Sequence, residues 1–132
     1  MLARDTKPWT AGVALPGGDV AVDGIENLRQ ELMKQLPFLD AFTIRRLIRQ
    51  YGTQAFDIFS NVTSLKELGE PFGHGVYSHE IDWALANEWV CTGQDFLWRR
   101  SKMGLRFSKK QAGQLDAYIQ KKIKKLRCQS VE

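Results

Sequence analysis

From Ile25 onward, apolar residues recur every three or four positions through Leu28, Leu32 and Leu36 until Pro37 stops the run, the pattern of an amphipathic helix. Asp23, with Glu26 three positions on, has the form of a capping box at its start. Asp40 is placed to cap a second helix that runs to Tyr51 and closes at Gly52, a residue free to take the left-handed conformation. At about 100° per residue, Ile44, Leu47, Ile48 and Tyr51 fall on one side of it and Arg45, Arg46 and Arg49 on the other. One face is core and the other a basic stripe. Thr53 opens a shorter helix through Phe56 and Phe59, and Ser64 caps a turn through Leu65 and Leu68 that ends at Gly69.

The run Glu70-Pro71-Phe72-Gly73-His74-Gly75 is too broken for regular structure and reads as a loop. It leads to Ser78, the expected cap of a helix carrying Ile81, Leu85 and Trp89. Thr92 with Asp95 makes the next capping box, for a helix through Phe96, Leu97 and Arg100 that ends near Gly104 and packs antiparallel to the one before. The last helix has the clearest signature: Ser108 and Gln111 form its capping box, and Ala112, Leu115, Ile119, Ile123 and Leu126 fall within an arc of about 80°. Lys110, Lys121, Lys124 and Lys125 face away from that arc. Residues 1–22, with Pro8, Gly12, Pro16, Gly17 and Gly18 between short apolar pieces, read as an extended arm whose Trp9, Val13 and Leu15 need a surface to lie on. No strand is evident beyond a short extension at 105–107. The expected architecture is all-α: a compact bundle of about five to six short helices over 23–132, with 1–22 as an extended N-terminal arm and interdomain linker.

Length and composition suit one globular domain, since 43% of the 132 residues are hydrophobic, enough for a core of its own. The longest unbroken apolar run, residues 83–86, falls far short of the roughly 20 residues a membrane-spanning helix needs. Arg4, Asp5, Lys7 and Pro8 leave no apolar stretch for a secretory signal. Cys91 and Cys128 do not make a disulfide framework, so a reducing, cytoplasmic setting is expected. The net charge of +4 conceals two opposed blocks: 1–96 carries 8 basic and 13 acidic side chains, 97–132 carries 11 and 2. Between Lys66 and Arg99 there is no cation, while Glu67, Glu70, Glu80, Asp82, Glu88 and Asp95 all fall there. Such blocks satisfy each other by folding together.

The residues that carry chemistry elsewhere do not assemble here. His74, His79 and Cys91 match no established metal-ligand spacing. Cys91 has no thiolate-stabilising neighbour beyond the helix start at Thr92. Gly17-Gly18 and Gly73-His74-Gly75 lack the strand and helix context that phosphate-cradling loops require. No catalytic, cofactor-binding or metal-binding residue is therefore assigned. The densest constellation is Leu97-Trp98-Arg99-Arg100-Ser101-Lys102-Met103-Gly104-Leu105. Asp95 and Arg99 are a favourable i,i+4 pair, and in an antiparallel hairpin Glu88 faces the region around Arg100. Glu80, Glu88, Asp95, Arg99, Arg100 and Lys102 are the expected fixing cluster, a structural and interface role. Trp83, Trp89 and Trp98 are expected to fill the core or an interface.

With these residues in view, the chain resembles the C-terminal helical domain of FAD-dependent, quinone-reducing glycerol-3-phosphate dehydrogenases. The resemblance is carried by Trp9-Thr10, Leu15-Pro16-Gly17-Gly18, Tyr51-Gly52, Leu68-Gly69-Glu70, Phe72-Gly73-His74, Tyr77 and Glu80. It continues through Glu88-Trp89-Val90, Asp95 and the run from Leu97 to Leu105, with Ser101 where the family pattern has threonine and Cys91 where it has arginine or alanine. The resemblance implies a fragment preceded, in a parent protein, by a flavin-binding and substrate-binding domain that holds the active site. Such a parent oxidises sn-glycerol 3-phosphate to dihydroxyacetone phosphate, reduces FAD and passes electrons to membrane quinone. FAD belongs to the parent, and none of its binding residues maps onto this chain.

The implied role is an accessory domain that docks on its own N-terminal FAD and substrate domain, with homo-oligomer formation and peripheral membrane contact through the parent enzyme as further partners. The location is cytoplasmic, at the inner face of the membrane. A competing reading is a basic helical nucleic-acid-binding module using Arg45, Arg46 and Arg49 or the C-terminal lysines against phosphates. Against it, residues 1–96 are net acidic and no DNA-reading motif is evident.

Overall fold

The computed structural model describes residues 10–129; Trp9 and the rest of 1–9, and the side chain of Cys128, lie outside what is described. Five α-helices carry most of the fold: α1 (Ile25–Gln35), α2 (Ala41–Tyr51), α3 (Gln54–Ile58), α4 (Ser78–Asn87) and α5 (Lys109–Gln129). The Asp95–Arg100 segment is a π-helix, and single 3-10 turns lie at Thr10–Gly12, Leu65–Leu68 and Met103–Leu105. The all-α expectation holds, with one small addition.

That addition is a hairpin in the segment expected to be irregular. Strands β1 (Pro71–Gly73) and β2 (Val76–Tyr77) pair antiparallel, with Pro71 opposite Tyr77 and Gly73 opposite Val76. The reversal between them is His74-Gly75, both at positive φ (52° and 73°), as a type I′ turn requires. The glycines that break the helical pattern are what make this turn. No strand forms at 105–107, where the chain leaves a 3-10 turn.

Several caps form where the residues predict them. Asp40 accepts from the Thr43 N–H at 2.6 Å. Ser108 and Gln111 exchange hydrogen bonds at the start of α5, and Thr92 and Asp95 do so before the π-helix. Asp23 and Glu26 do not: α1 begins after Gly24 with no side-chain cap, and Glu26 instead takes Arg29. Ser78 is the first residue of α4, not its cap; its hydroxyl accepts from the Glu70 N–H at 3.0 Å and donates to the Leu68 carbonyl. The helix expected to reach Gly104 is shorter and wider. The Phe96 carbonyl receives both the N–H (2.9 Å) and the hydroxyl (2.7 Å) of Ser101, closing a π-turn, and Lys102 then takes the left-handed conformation.

Two apolar cores result. The first gathers Leu32, Leu36, Ile44, Leu47, Ile48, Tyr51, Phe59 and Leu68 from α1 to the second 3-10 turn. The second gathers Phe72, Val76, Ile81, Phe96, Leu97, Leu115 and Ile119 from the hairpin to α5. Trp83 packs against both and meets the Tyr51 ring edge-on at 5.4 Å. The described part of the arm meets the end of α2 at Gly17. Gly52 ends α2 at φ 55°, the Thr53 N–H donates to the Gly17 carbonyl at 3.0 Å, and a Cβ on Gly52 would collide with that carbonyl. Val13, Leu15 and Val22 stay exposed.

Candidate functional site

Glu80, in the first turn of α4, is 1% exposed. Both its oxygens accept from the Arg46 guanidinium, each at 2.7 Å, and Oε1 also accepts from the Tyr51 hydroxyl at 2.8 Å. Gln50 closes the ring: its amide accepts from Arg46 Nη1 (3.2 Å) and donates to the Tyr51 oxygen (2.7 Å). Arg46 Nη2 further donates to the Gly75 carbonyl at 2.7 Å, which joins α2 to the hairpin turn. Gly75 has no alternative here, because a Cβ would run into the Thr43 side chain. A bidentate, multiply hydrogen-bonded pair of this kind is the arrangement in which buried charges are tolerated. Burial opposes the Arg46 charge, but Glu80 beside it more than offsets this and holds its pKa above the ordinary value. Burial, with the Glu80 charge, pushes the Tyr51 hydroxyl well above its ordinary range.

Arg46 is the residue the periodicity misplaced. It was expected on the solvent-facing basic stripe between Arg45 and Arg49, yet its side chain is 8% exposed. Its position borders the apolar face of α2, and its side chain turns inward to Glu80, in an acidic block that has no cation of its own. The missing cations between Lys66 and Arg99 are the sequence signal that a partner for Glu80 comes from elsewhere. Tyr51 is core, as its spacing predicts, and its hydroxyl is also a hydrogen-bond donor, which spacing does not reveal.

The other expected cluster residues divide into smaller groups. Glu88, the capping residue just past α4, is half-buried, and its Oε2 is buried without a hydrogen-bond partner. Burial raises its pKa, the neighbouring Arg100 lowers it and Glu80 adds to the rise. Arg100 is thus within electrostatic reach of Glu88 but forms no ion pair with it. Asp95 pairs with Arg99 at 2.9 Å, and Arg99 is 80% exposed. The Asp95 carboxylate, held by the Thr92 hydroxyl and by the N–H groups of Cys91 and Thr92, has a lowered pKa. Lys102 stands apart on the surface, at the rim of an open cavity beside α2. Asp82, outside the expected set, receives Lys122 at 2.7 Å and Tyr118 at 2.9 Å, fixing α5 to α4.

The tryptophans also separate. Trp83 is in the core, whereas Trp89 is 87% exposed and Trp98 half-exposed over Gly104. Trp89, two residues beyond α4 and next to its cap Glu88, has φ 59°, the left-handed position usually held by glycine, and its ring is exposed. His79 is half-buried, its Nε2 2.7 Å from the Ile58 carbonyl, and His74 is an exposed turn residue of the hairpin.

Residues 8–124 match the family described as the C-terminal domain of alpha-glycerophosphate oxidase. The chain belongs to that family. Its relatives include a glycerol-3-phosphate dehydrogenase of Pseudomonas aeruginosa, 38% identical over 112 residues, 85% of this chain and 22% of the relative. An aerobic glycerol-3-phosphate dehydrogenase of Escherichia coli is 32% identical over 84% of this chain and 22% of its own length. A D-erythritol 1-phosphate dehydrogenase of Brucella abortus is 31% identical over 71% of this chain. The chain therefore spans about a fifth of the length of these relatives.

A flavin dinucleotide needs a strand, a glycine-rich turn and a helix N-terminus facing its pyrophosphate. The described residues do not fit that group. Strand β2 runs straight into α4 at Ser78, and the glycine turn before it is filled by Thr43 and Arg46. Among the described residues no helix is long and apolar enough to cross a membrane.

Proposed function

We propose that this chain is the accessory C-terminal domain of an FAD-dependent enzyme that oxidises sn-glycerol 3-phosphate to dihydroxyacetone phosphate and delivers the electrons to quinone. It supplies a docking surface, and a preceding catalytic segment supplies the redox chemistry. The observation that carries this reading is the family match over 8–124 in a chain covering only a fifth of dehydrogenase relatives. In support, the buried polar network on Glu80 links the two cores, while large apolar side chains are exposed at Leu15, Trp89, Trp98 and Leu105. Residues 1–22 act as the connecting arm and 23–132 as the domain. Glu80, Glu88, Asp95, Arg99, Arg100 and Lys102, with Arg46, hold and present the docking face. Quinone reduction sets the parent at the inner face of the cytoplasmic membrane, with peripheral contact and self-association as further roles for the exposed surfaces. Nothing favours a nucleic-acid-binding module: Arg46, one of its three arginines, is held by Glu80.

The purified chain should be colourless and fail to oxidise glycerol 3-phosphate, yet bind the catalytic segment of the Pseudomonas aeruginosa relative from which its own C-terminal domain has been removed. A flavin absorption band or glycerol 3-phosphate turnover by the chain alone would overturn the proposal, as would failure to bind that segment.

A further inference from the structure

The open cavity beside α2 has a volume of about 470 Å³ and is lined by six cations, Arg45, Arg46, Arg49, Arg100, Lys102 and Arg106, with no carboxylate among its walls. That composition is unusual, because like charges that converge repel one another unless something anionic sits among them. Three of the six are answered nearby. Arg46 is bonded to Glu80, Arg100 lies within reach of Glu88, and Arg45 within reach of Glu26. The remaining three are not. Arg49 and Lys102 form no side-chain hydrogen bond or ion pair among the described residues, and Arg106 rests on the Phe42 ring, 4.9 Å from its centroid.

From this arrangement we propose that the cavity binds the phosphate group of a phosphate-bearing molecule. Its floor is rigid, since Arg46 and Gln50 belong to the closed hydrogen-bond ring on Glu80. Its walls carry cations from two separate segments, α2 and residues 100–106, so more donors are on hand than a single carboxylate can use and enough for the several oxygens of a phosphate. The Phe42 ring lies under Arg106 without neutralising it, and Lys102, in its left-handed conformation, is among the lining residues. The volume falls within the roughly 300–1,000 Å³ common for small-molecule sites, more than a bare phosphate fills. This inference does not rest on the docking role proposed above, although Arg46, Arg100 and Lys102 line the cavity and also belong to the docking cluster.

The test titrates the 132-residue chain with inorganic phosphate, with ionic strength held constant by sodium chloride, following the thermal unfolding midpoint and the heat of binding. Saturable stabilisation by phosphate beyond that of chloride is expected. Arg49→Gln and Lys102→Gln, both at exposed positions, should each weaken it about tenfold, the loss of one charge-assisted hydrogen bond. Lys66→Gln, a lysine outside the cavity, should leave it unchanged. Cosedimentation with phosphatidylglycerol but not phosphatidylcholine vesicles, lost in the same two variants, would support the site and make a lipid headgroup the source of the phosphate. A response to phosphate no larger than to chloride, with no such vesicle binding, overturns the proposal. So does a response that survives both substitutions, or loss of phosphate binding once the catalytic segment of the Pseudomonas aeruginosa relative is bound, which would assign the cavity to docking.

Discussion

The two halves of the molecule bury apolar cores of similar make-up, but the ion pair that joins them differs in kind from the pairs within them. Where α2 of the first half meets α4 of the second, Arg46 and Glu80 are out of water, doubly bonded and supported by Tyr51 and Gln50. Within the second half, Asp95–Arg99 is a single exposed contact, and Lys122–Asp82 is partly exposed. Burial decides which of these matters. An exposed pair exchanges one well-hydrated state for another, whereas a buried pair leaves its survivor stranded when one member is removed. The junction between the cores is therefore where a single substitution should do most damage.

Glu80→Ala should cost about 3–5 kcal/mol in urea unfolding, because Arg46 loses its counter-charge in a buried setting. Combining Arg46→Met with Glu80→Leu should recover most of that loss, and failure to recover it would mean that the hydrogen-bond ring itself, not the stranded charge, dominates. Next in size, Leu32→Ala in the first core and Leu115→Ala in the second should each cost about 2–5 kcal/mol, since both residues are fully buried. Each variant should still unfold in one transition; two transitions in either would show that the Arg46–Glu80 junction does not couple the halves.

A gain is expected at the surface. Trp89→Gly should stabilise the isolated chain by about 1 kcal/mol, because glycine adopts the left-handed backbone there without the strain a side chain brings. The same substitution should weaken association with the catalytic segment if the outward ring belongs to the docking face.

For pH, Glu88 and Asp95 act in opposite directions. Glu88, raised by burial, favours the folded state fully below its unfolded value near 4.5 and loses that contribution as pH rises through its folded value. Asp95, lowered by its Thr92 and backbone hydrogen bonds, contributes above its unfolded value near 3.8 and loses the contribution as pH falls. Glu88→Gln should therefore gain stability relative to the parent chain as pH is raised from below 4.5, and a difference that is flat with pH would contradict the assigned burial. The smallest effect is expected for Arg99→Ala, below about 1 kcal/mol, as its side chain is largely in solvent.

What could be read from the residues beforehand follows from the range over which each interaction acts. Caps at Asp40, Thr92–Asp95 and Ser108–Gln111 were legible, because donor and acceptor lie within one turn of each other. Asp23 and Glu26 have the same spelling and form no box, since Arg29 and Gln30 compete for the Glu26 carboxylate. The hairpin went unread because glycine is equally a loop residue and an I′ turn residue, and its strands are too short to show alternation. Of the expected cluster, the local pair Asp95–Arg99 was visible at i,i+4 spacing. The partner of Glu80 was not, since 34 residues separate it from Arg46.

By itself, then, the order of residues determined the helices, most of their ends, which faces are apolar, and the family, because these depend on neighbours a few positions away or on the pattern as a whole. Which arginine of the α2 stripe turns inward, which tryptophan turns outward, and which cations are left converging on an open cavity were decided only in three dimensions. Those outcomes depend on the sum of burial, charge and backbone geometry at one place, and residues distant in the chain contribute to that sum as strongly as adjacent ones.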